Sequence, residues 1–435
     1  MKTHKKHEWV PRKLNELGFV GRGKSRHRPR NAPELYGGPY PFVQTAEIMA
    51  SELYITSHAK TYSEVGIAQS KMWQANTLCM TIAGENTAET ALLSYPACFP
   101  DSVVGFVADP ELSDVRFVKY YLDYIKKQIR QITRGATQDN LSLDKLLSFD
   151  IVAPPVAMQR KIASIAAAYD ELILNNTRRI ALLEAISKLI YREWFVQFRF
   201  PGHEKVKLIP SPLGKIPEGW RVVKVVDVAV IHRGRSYKSE NLVEEGGIPF
   251  LNLKCIGRGG GFRRDGIKRF EGPTKPEQIT RAGEIVMGVT DMTQERRLVA
   301  RAALVPRLKE EESVISMDLV KISPNGVDSL FLYGMLRFSE FPEVVKQHAN
   351  GANVLHLNPK AIADYGFACP AQQLQTQYAS KVSGLVELVD VLHLKIENLR
   401  TTRDLLLPKL ISGQLDVEDI DTGAAISDES VEADS

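Results

Sequence analysis

Two stretches of the chain carry apolar side chains at alternating steps of three and four residues, the spacing of one face of a long helix. The first stripe comprises Ile162, Ala166, Tyr169, Ile173, Asn176, Ile180, Leu183, Ser187, Ile190 and Trp194. The second comprises Tyr378, Val382, Leu385, Val389, Leu392, Ile396, Leu399, Leu406 and Leu410. A helix of nearly forty residues spans on the order of 50 Å, longer than a small domain. The shared register therefore predicts two long helices packed on each other, rather than each only on its own domain.

The regions before these stripes have another pattern. Short β-rich runs such as residues 79–82 and 284–287 are separated by glycine and proline turns, with helical stretches such as residues 115–132. Each region predicts a globular α+β domain. Proline then marks the start of each long helix, at Pro154 and Pro370, where the first turn tolerates it.

The chain is an internal duplication. A shift of 216 residues aligns identical side chains without a gap: Leu141 with Leu357, Pro154 with Pro370, and Gln159 with Gln375. Nearer the start of each half the shift is slightly smaller, matching Trp9 with Trp220, residues 22–25 with 233–236, and residues 41–43 with 249–251. The drift predicts two related folds with insertions in different surface loops.

These patterns predict two tandem, similar α+β domains, each followed by a long helix. The predicted boundaries are 8–155 for the first domain, 156–199 for its helix, 200–211 for a linker, 212–371 for the second domain and 372–412 for its helix. Residues 413–435 are small, polar and acidic, which is typical of an unstructured tail.

Composition excludes several classes of protein. Among 435 residues no apolar run approaches the roughly 20 that a membrane helix needs, and the basic N-terminus lacks the apolar segment of a secretory signal, so we expect a cytoplasmic protein. The four cysteines lie far apart without zinc spacing and are expected to be buried, reduced thiols.

The net charge of the chain is +4, but the eight acidic residues after Lys409 have no basic residue among them. The rest of the chain therefore carries +12, which fits a polyanionic partner.

Residues 18–25 match the phosphate-binding pattern GxxxxGK[ST]. Such a loop needs a helix directly after it, so that the helix N-terminus faces the phosphates. Here Pro29 and Pro33 follow and forbid that helix. The matching segment 232–236 also lacks the first glycine. We therefore interpret the motif as a coincidence.

The same loop is a stronger candidate for contact with DNA, because clustered cations neutralise phosphates and arginine can pair with guanine. The candidates in the first half are Arg22, Lys24, Ser25, Arg26, His27, Arg28 and Arg30. Those in the second half are Arg233, Arg235, Ser236 and Lys238, with Arg258, Arg263 and Arg264 in a glycine-rich loop that we expect to be flexible. A solvated basic loop without a partner is the alternative for both.

Polar side chains at matched places extend this set. Amides can pair bidentately with adenine, although they also cap turns. The candidates are Gln44 and Asn252 after the matched Pro-Phe pairs, and Gln138, Asn140, Asn353 and His356 after the matched Gly-Ala pairs.

No catalytic signature of a methyltransferase, metalloprotease, hydrolase or zinc enzyme is present, and we interpret Asp291 with Glu295 as an exposed loop pair. The sequence thus predicts no catalytic, cofactor-binding or metal-binding residue.

Three further stretches resemble the specificity subunit of type I restriction-modification enzymes. Residues 211–220 are similar to that family's entry into its second target recognition domain, residues 153–155 with Gln159 and Ile162 to the entry into a spacer helix, and residues 406–413 to the end of the distal spacer. The second spacer entry, residues 370–375, is a looser match than the first.

The resemblance implies a non-catalytic subunit with two target recognition domains, each reading half of a bipartite double-stranded DNA target, separated by an antiparallel helical pair that acts as a ruler. It implies modification subunits that methylate adenine with S-adenosylmethionine, and restriction subunits that use ATP and Mg²⁺, as partners. A methylation-only or differently organised restriction system is a close alternative. A P-loop ATPase with a coiled-coil arm and a structural coiled-coil adaptor are alternatives from other classes.

Overall fold

The computed structural model describes residues 9–84, 86–133 and 140–420. They form two compact units. Unit 1 contains the described residues up to Asn176 and those from Lys395 onward, and unit 2 contains Thr177–Leu394. None of the described helices is long and apolar enough to cross a membrane.

Unit 1 is built on a sheet that is buried on both faces. Leu78 and Met80 point into one core cluster and Cys79, between them, into another, as the two-residue period of a strand requires. The five-stranded sheet has the order Gly18–Arg22, Val103–Ala108, Leu78–Thr81, Thr90–Leu93, Tyr54–Ile55. A four-stranded sheet has the order Lys60–Tyr62, Tyr36–Phe42, Ala97–Cys98, Met72–Trp73, and Val10–Arg12 pairs with Ile151–Ala153.

Unit 2 repeats the order of four strands in each sheet, but its additional edge strand belongs to the other sheet. Its four-stranded sheet has the order Ala229–Arg233, Leu319–Pro324, Ile285–Gly288, Ala302–Leu304, and its five-stranded sheet Leu242–Val243, Lys268–Phe270, Ile248–Leu251, Ser313–Ile315, Ile279–Thr280. Three strand pairs complete it: Leu208–Ser211 with Gly214–Pro217, Arg221–Lys224 with Gly366–Cys369, and Thr290–Asp291 with Leu355–His356. The parallel pairing of Phe42 with Cys98 recurs as Phe250 with Val314, so the duplication predicted from sequence is present in the fold.

Short helices cover the sheets. In unit 1 they are Thr45–Ala50, Glu64–Ala68, Val115–Tyr124, Lys126–Thr133 and Leu143–Ser148, with 3-10 turns Leu14–Glu16 and Pro33–Leu35. In unit 2 they are Val225–Val228, Ser329–Phe338, Phe341–Val345 and Pro359–Ala363, with 3-10 turns His203–Lys205, Ser239–Asn241, Leu253–Cys255, Arg264–Gly266, Pro276–Gln278 and Lys346–His348. The stretch predicted as one helix over 115–132 is two helices that break at Ile125.

The two long helices are Val156–Tyr191, which continues into a π-turn Arg192–Val196, and Gln372–Ile411. In unit 1, Ile162 near the start of the first shares a core with Leu410 near the end of the second. In unit 2 the Tyr191 ring lies 5.9 Å from that of Tyr378. Within each unit the helices are therefore antiparallel, and the predicted fold class is confirmed.

A buried glutamine anchors each long helix to its own unit. Gln159 accepts a hydrogen bond from the Asp114 backbone N–H (3.0 Å) and donates to the Pro154 carbonyl (2.9 Å). Gln375 accepts one from the Asp328 N–H (2.8 Å) and donates to the Pro370 carbonyl (2.9 Å). The second helix entry, which matched the family pattern less well in sequence, thus forms the same contacts as the first.

Replacing Gln375 by alanine should lower the free energy of unfolding by about 1–3 kcal/mol, because the Asp328 N–H and the Pro370 carbonyl lose their partner in a buried position. Chemical denaturation followed by circular dichroism measures the loss. Gln377→Ala, an exposed glutamine on the same helix, is the matched control and should change stability by less than about 0.5 kcal/mol. Equal losses in both variants would argue against the anchor.

The ordered chain extends beyond the predicted start of the tail. Gly413 ends the second long helix in the left-handed region (φ 69°), and a Cβ there would lie 2.9 Å from the Trp9 indole. Val417 is 1% exposed in the unit 1 core, and the Lys161 ammonium donates to the Glu418 carbonyl at 2.6 Å. The prediction of an unstructured tail is therefore wrong for residues 413–420, while 421–435 lie outside the described residues.

The segment predicted as a linker is also folded. Residues 208–217 form a β-hairpin. Phe200 and Ile216 are buried, and the Phe200 ring lies 5.7 Å from the Trp220 ring. Apolar packing onto Trp220 makes this segment part of the unit 2 core.

Candidate nucleic-acid interface

The basic loop of unit 1 follows strand Gly18–Arg22 and has a fixed backbone. Gly23 donates its N–H to the Val103 carbonyl (2.9 Å) and Lys24 donates its N–H to the Phe99 carbonyl (3.1 Å). The Gln69 side-chain oxygen accepts from the backbone N–H groups of Arg26 (2.5 Å) and His27 (3.0 Å). A loop pinned through its backbone presents its side chains without a large ordering cost on binding.

The exposed cations of this loop differ in whether they already have a partner within the unit. The side chains of Arg22, Lys24 and Arg26 are exposed. Arg30, by contrast, makes a bidentate ion pair with Asp101 at 2.8–2.9 Å.

Three other predicted residues of the loop have internal contacts or positions. Arg28 donates to the carbonyl oxygens of Ser25 and His27, both at 2.8 Å. His27 lies 3.6 Å from Glu34 and is partly buried. Ser25 is only 6% exposed and has an internal position, and its contact with DNA stays a prediction.

The matching segment of unit 2 has the same backbone frame. Gly234 donates to the Leu319 carbonyl (3.2 Å) and Arg235 to the Ile315 carbonyl (2.8 Å). These acceptors lie 216 residues after Val103 and Phe99. The frame again presents cations: Arg233 and Lys238 are exposed together with Ser236, while Arg235 is half-buried with its guanidinium 5.8 Å from the Phe270 ring.

This backbone frame explains why a glycine recurs at the same place in both units, and a bound nucleotide is not needed to explain it. A Cβ on Gly23 would collide with the Phe99 and Pro100 carbonyl oxygens, and one on Gly234 with the Ser316 carbonyl oxygen. Residues 18–22 are a paired strand, and no helix follows them within the described segment 23–32. The loop therefore lacks the strand-loop-helix geometry that cradles phosphates.

A second pair of predicted contacts also occupies equivalent places. Asn140 forms an isolated antiparallel β-bridge with Ala83, and His356 pairs with Thr290 in a two-stranded antiparallel sheet. Asn140 and His356 are 216 residues apart and both are exposed, and Asn353 is exposed in the loop before His356. Gln138 lies outside the described residues.

The family model of the type I restriction modification DNA specificity domain matches residues 6–185 and, a second time, residues 217–400. The chain belongs to this family. Its resemblance to specificity subunits, predicted from the sequence, is confirmed.

Relatives and a solved structure agree. The chain is 22% identical over 419 residues, 95% of each chain, to the type I restriction enzyme MjaIX specificity subunit of Methanocaldococcus jannaschii. It is 20% identical over 356 residues to the MjaVIII specificity subunit of the same organism, covering 79% of this chain and 80% of the other. The crystal structure of the S subunit of a type I restriction-modification system from M. genitalium matches 94% of this chain and 98% of that chain with a TM-score of 0.57 at 18% identity, which shows a common fold.

In this specificity subunit the glycine-rich segment 257–264 is a tight hairpin and not the flexible loop that was predicted. Gly261 donates its N–H to the Ala302 carbonyl at 2.9 Å. Arg264 donates to Asp390 on the second long helix (2.5 Å) and to the Arg307 carbonyl (2.8 Å). The Arg264 guanidinium thus holds the hairpin on the helix, and its contact with DNA stays a prediction.

The two other arginines of this hairpin are exposed. Arg263 forms an ion pair with Asp265 at 2.5 Å, which raises the pKa of the guanidinium through the carboxylate hydrogen bond. Arg258 is exposed. Both stay predictions as DNA contacts.

The amides after the Pro-Phe pairs serve local structure. Asn252 is 6% exposed, accepts from the Lys254 N–H (2.9 Å) and donates to the Gly266 carbonyl (2.7 Å). It caps a turn in this way, and its contact with a base stays a prediction. Gln44 is half-buried at the N-terminus of helix Thr45–Ala50, where its N–H donates to Glu47.

The sequence-based prediction missed the loop between Asp291 and Leu298. Asp291 is 1% exposed, which corrects its interpretation as an exposed loop residue. Burial alone would raise the pKa of this carboxyl, but hydrogen bonds from Leu298 and Thr293 outweigh burial and hold its pKa below the usual value. Met292 beside it is 76% exposed. The signal in the sequence was the change of offset between the two halves, which lies somewhere between residues 251 and 351.

All four cysteines are free and buried, as predicted. Burial raises the pKa of the Cys255 thiol to about 12 and that of Cys369 to about 11. Such thiols stay protonated at neutral pH and are poor nucleophiles.

Proposed function

We propose that this specificity subunit reads a bipartite double-stranded DNA target, one half through each unit, and directs adenine methylation and restriction by separate subunits. The observation that carries the proposal is the repeated backbone frame at Gly23 and Gly234, which presents exposed cations at equivalent places in both units. Phosphate contacts by these cations would supply affinity, and polar side chains such as Asn140 and His356 would contribute base readout.

In this proposal the chain performs no chemistry of its own. Modification subunits would carry S-adenosylmethionine, and restriction subunits would use ATP and Mg²⁺. The chain would act in the cytoplasm, where DNA and these partners meet. The two matches to the specificity domain and the absence of a recognisable catalytic motif in the sequence support this division of labour.

Adenine methylation in the genome of cells that express this chain with a modification subunit tests the proposal. We expect methylation within one split motif that has two defined halves and a gap of fixed length. The control is the same modification subunit without this chain, which should leave the motif unmethylated. Expression and association of both chains without any motif would contradict the proposal.

A further inference from the structure

We propose that the loop of residues 291–298 determines the base preference of unit 2, with Met292 making an apolar contact to the methyl group of a thymine in one half of the target. The inference rests on the function proposed above and specifies where one half-site is read. It starts from a difference between two otherwise equivalent sheets.

The loop is an insertion into the duplicated fold. In unit 1, Met80 pairs with Thr90 across the connection between two neighbouring strands, ten residues apart. In unit 2, Met287 pairs with Ala302 in the same sheet position, fifteen residues apart. Since unit 1 completes its sheet with five fewer residues, the extra residues are not required by the fold and are free for recognition.

The insertion adjoins the predicted contacts of unit 2. Thr290, directly before the loop, pairs with His356. The Gln294 side chain donates to the Ala352 carbonyl at 3.0 Å, next to Asn353. The inserted loop and the segment 350–356 therefore form one continuous surface.

The loop is held in a defined conformation. The buried Asp291 carboxylate accepts hydrogen bonds from the Thr293 N–H and hydroxyl (both 2.9 Å) and from the Leu298 N–H (2.7 Å). Arg296 and Ala300 have positive φ (53° and 58°), which non-glycine residues adopt at a cost. Arg296 also donates to Gln347 at 2.7 Å. A fixed loop can discriminate between bases because it does not adapt to a wrong one.

The exposed chemistry of the loop suits the major groove. Met292, at 76% exposure, has the highest exposed fraction among the exposed large apolar side chains of the described chain. Exposed polar and charged side chains lie in the same loop and in the neighbouring segment, namely Gln294, Glu295, Arg297, Asn353 and His356. In the major groove the thymine methyl is the apolar group that distinguishes bases, and apolar side chains read it. Hydrogen-bonding side chains beside an apolar one suit the edges of base pairs, and Arg297 is held by Glu295 at 2.6 Å.

Methylation rates measured with the purified complex of this chain and a modification subunit test the inference. The substrates are duplexes in which every position of both half-sites is varied in turn. Met292→Ala should reduce discrimination at one or two positions of one half-site from about tenfold to nearly none. The other half-site and the gap should not change. Gln294→Ala, which removes the tie to residue 352, should weaken discrimination in the same half-site only.

Leu213→Ala is the matched control, because Leu213 is a 49% exposed apolar residue on the hairpin of residues 208–217. It should leave every preference unchanged. Unaltered discrimination in Met292→Ala would overturn the inference. The proposed function would still hold in that case, provided that the unmodified chain directs methylation to a split motif. A uniform drop in rate without a change in preference would overturn the inference as well, and would indicate that Met292 contacts a protein. A complex of the unmodified chain without a split motif would overturn both.

Discussion

Replacing Arg22, Lys24 and Arg26 together by alanine should weaken DNA binding by on the order of 100-fold at physiological salt. Each phosphate contact releases counterions, so the logarithm of affinity falls with the logarithm of salt concentration by about 0.9 per contact. Losing three contacts should reduce that slope by almost three. Titration of labelled duplexes at several salt concentrations, with the complex of this chain and a modification subunit, measures both quantities.

The matched control removes the same charge elsewhere. Lys205, Lys207 and Lys215 are exposed lysines in and next to the hairpin of residues 208–217 in unit 2. Their triple alanine variant should retain the slope and most of the affinity. Equal losses in the two triple variants would mean that net charge, and not the pinned basic loop, attracts the DNA. A variant that binds more weakly but keeps its target sequence identifies the three cations as phosphate contacts.

Replacing Arg403 by alanine should destabilise the fold by about 3–5 kcal/mol, because it leaves a buried carboxylate without its cation. Asp170 is 2% exposed and accepts a hydrogen bond from the Tyr120 hydroxyl at 2.5 Å. Arg403 on the second long helix forms its ion pair. Thermal and denaturant midpoints of the purified chain measure the loss. Adding Asp170→Asn to the variant should recover part of it, because a buried amide costs less than a buried charge.

Arg400→Ala is the control one turn earlier on the same helix. Arg400 pairs with Glu52 at the surface, with side chains 48% and 36% exposed, and such pairs contribute only about 0–1 kcal/mol. A similar loss of stability in Arg400→Ala and Arg403→Ala would show that leaving the buried Asp170 carboxylate without its cation does not destabilise the fold further. A stable Arg403→Ala variant would show the same.

The parts of the molecule that local sequence determines were predictable. The seam of the long helices follows from apolar periodicity, and the predicted seam positions from Ile162 to Leu410 are buried or half-buried. Pro29 and Pro33 were enough to exclude a phosphate-binding loop. The duplicated topology followed from matched residues, because equivalent side chains such as Gln159 and Gln375 make equivalent contacts.

Contacts between residues that are distant in sequence could not be predicted. Arg264 pairs with Asp390, 126 residues away, and Asn252 with Gly266, 14 residues away. A basic or amide side chain gives no local sign of such a partner, so both were assigned to DNA. Val417 was assigned to an unstructured tail since acidic neighbours dominate its surroundings, although one buried apolar side chain is enough to hold that segment.

The way in which the chain is divided between the two units has a consequence for synthesis on the ribosome. Unit 2 is continuous in sequence, whereas the core of unit 1 needs Leu410, Ile411 and Val417 from the far end of the chain. Domains usually fold as they emerge, the N-terminal one first. Here the order is reversed: residues 177–394 can complete their core while the earlier half, already outside the exit tunnel, still waits for its last helix. During that interval the apolar face of the nascent N-terminal half is open to chaperones and proteases.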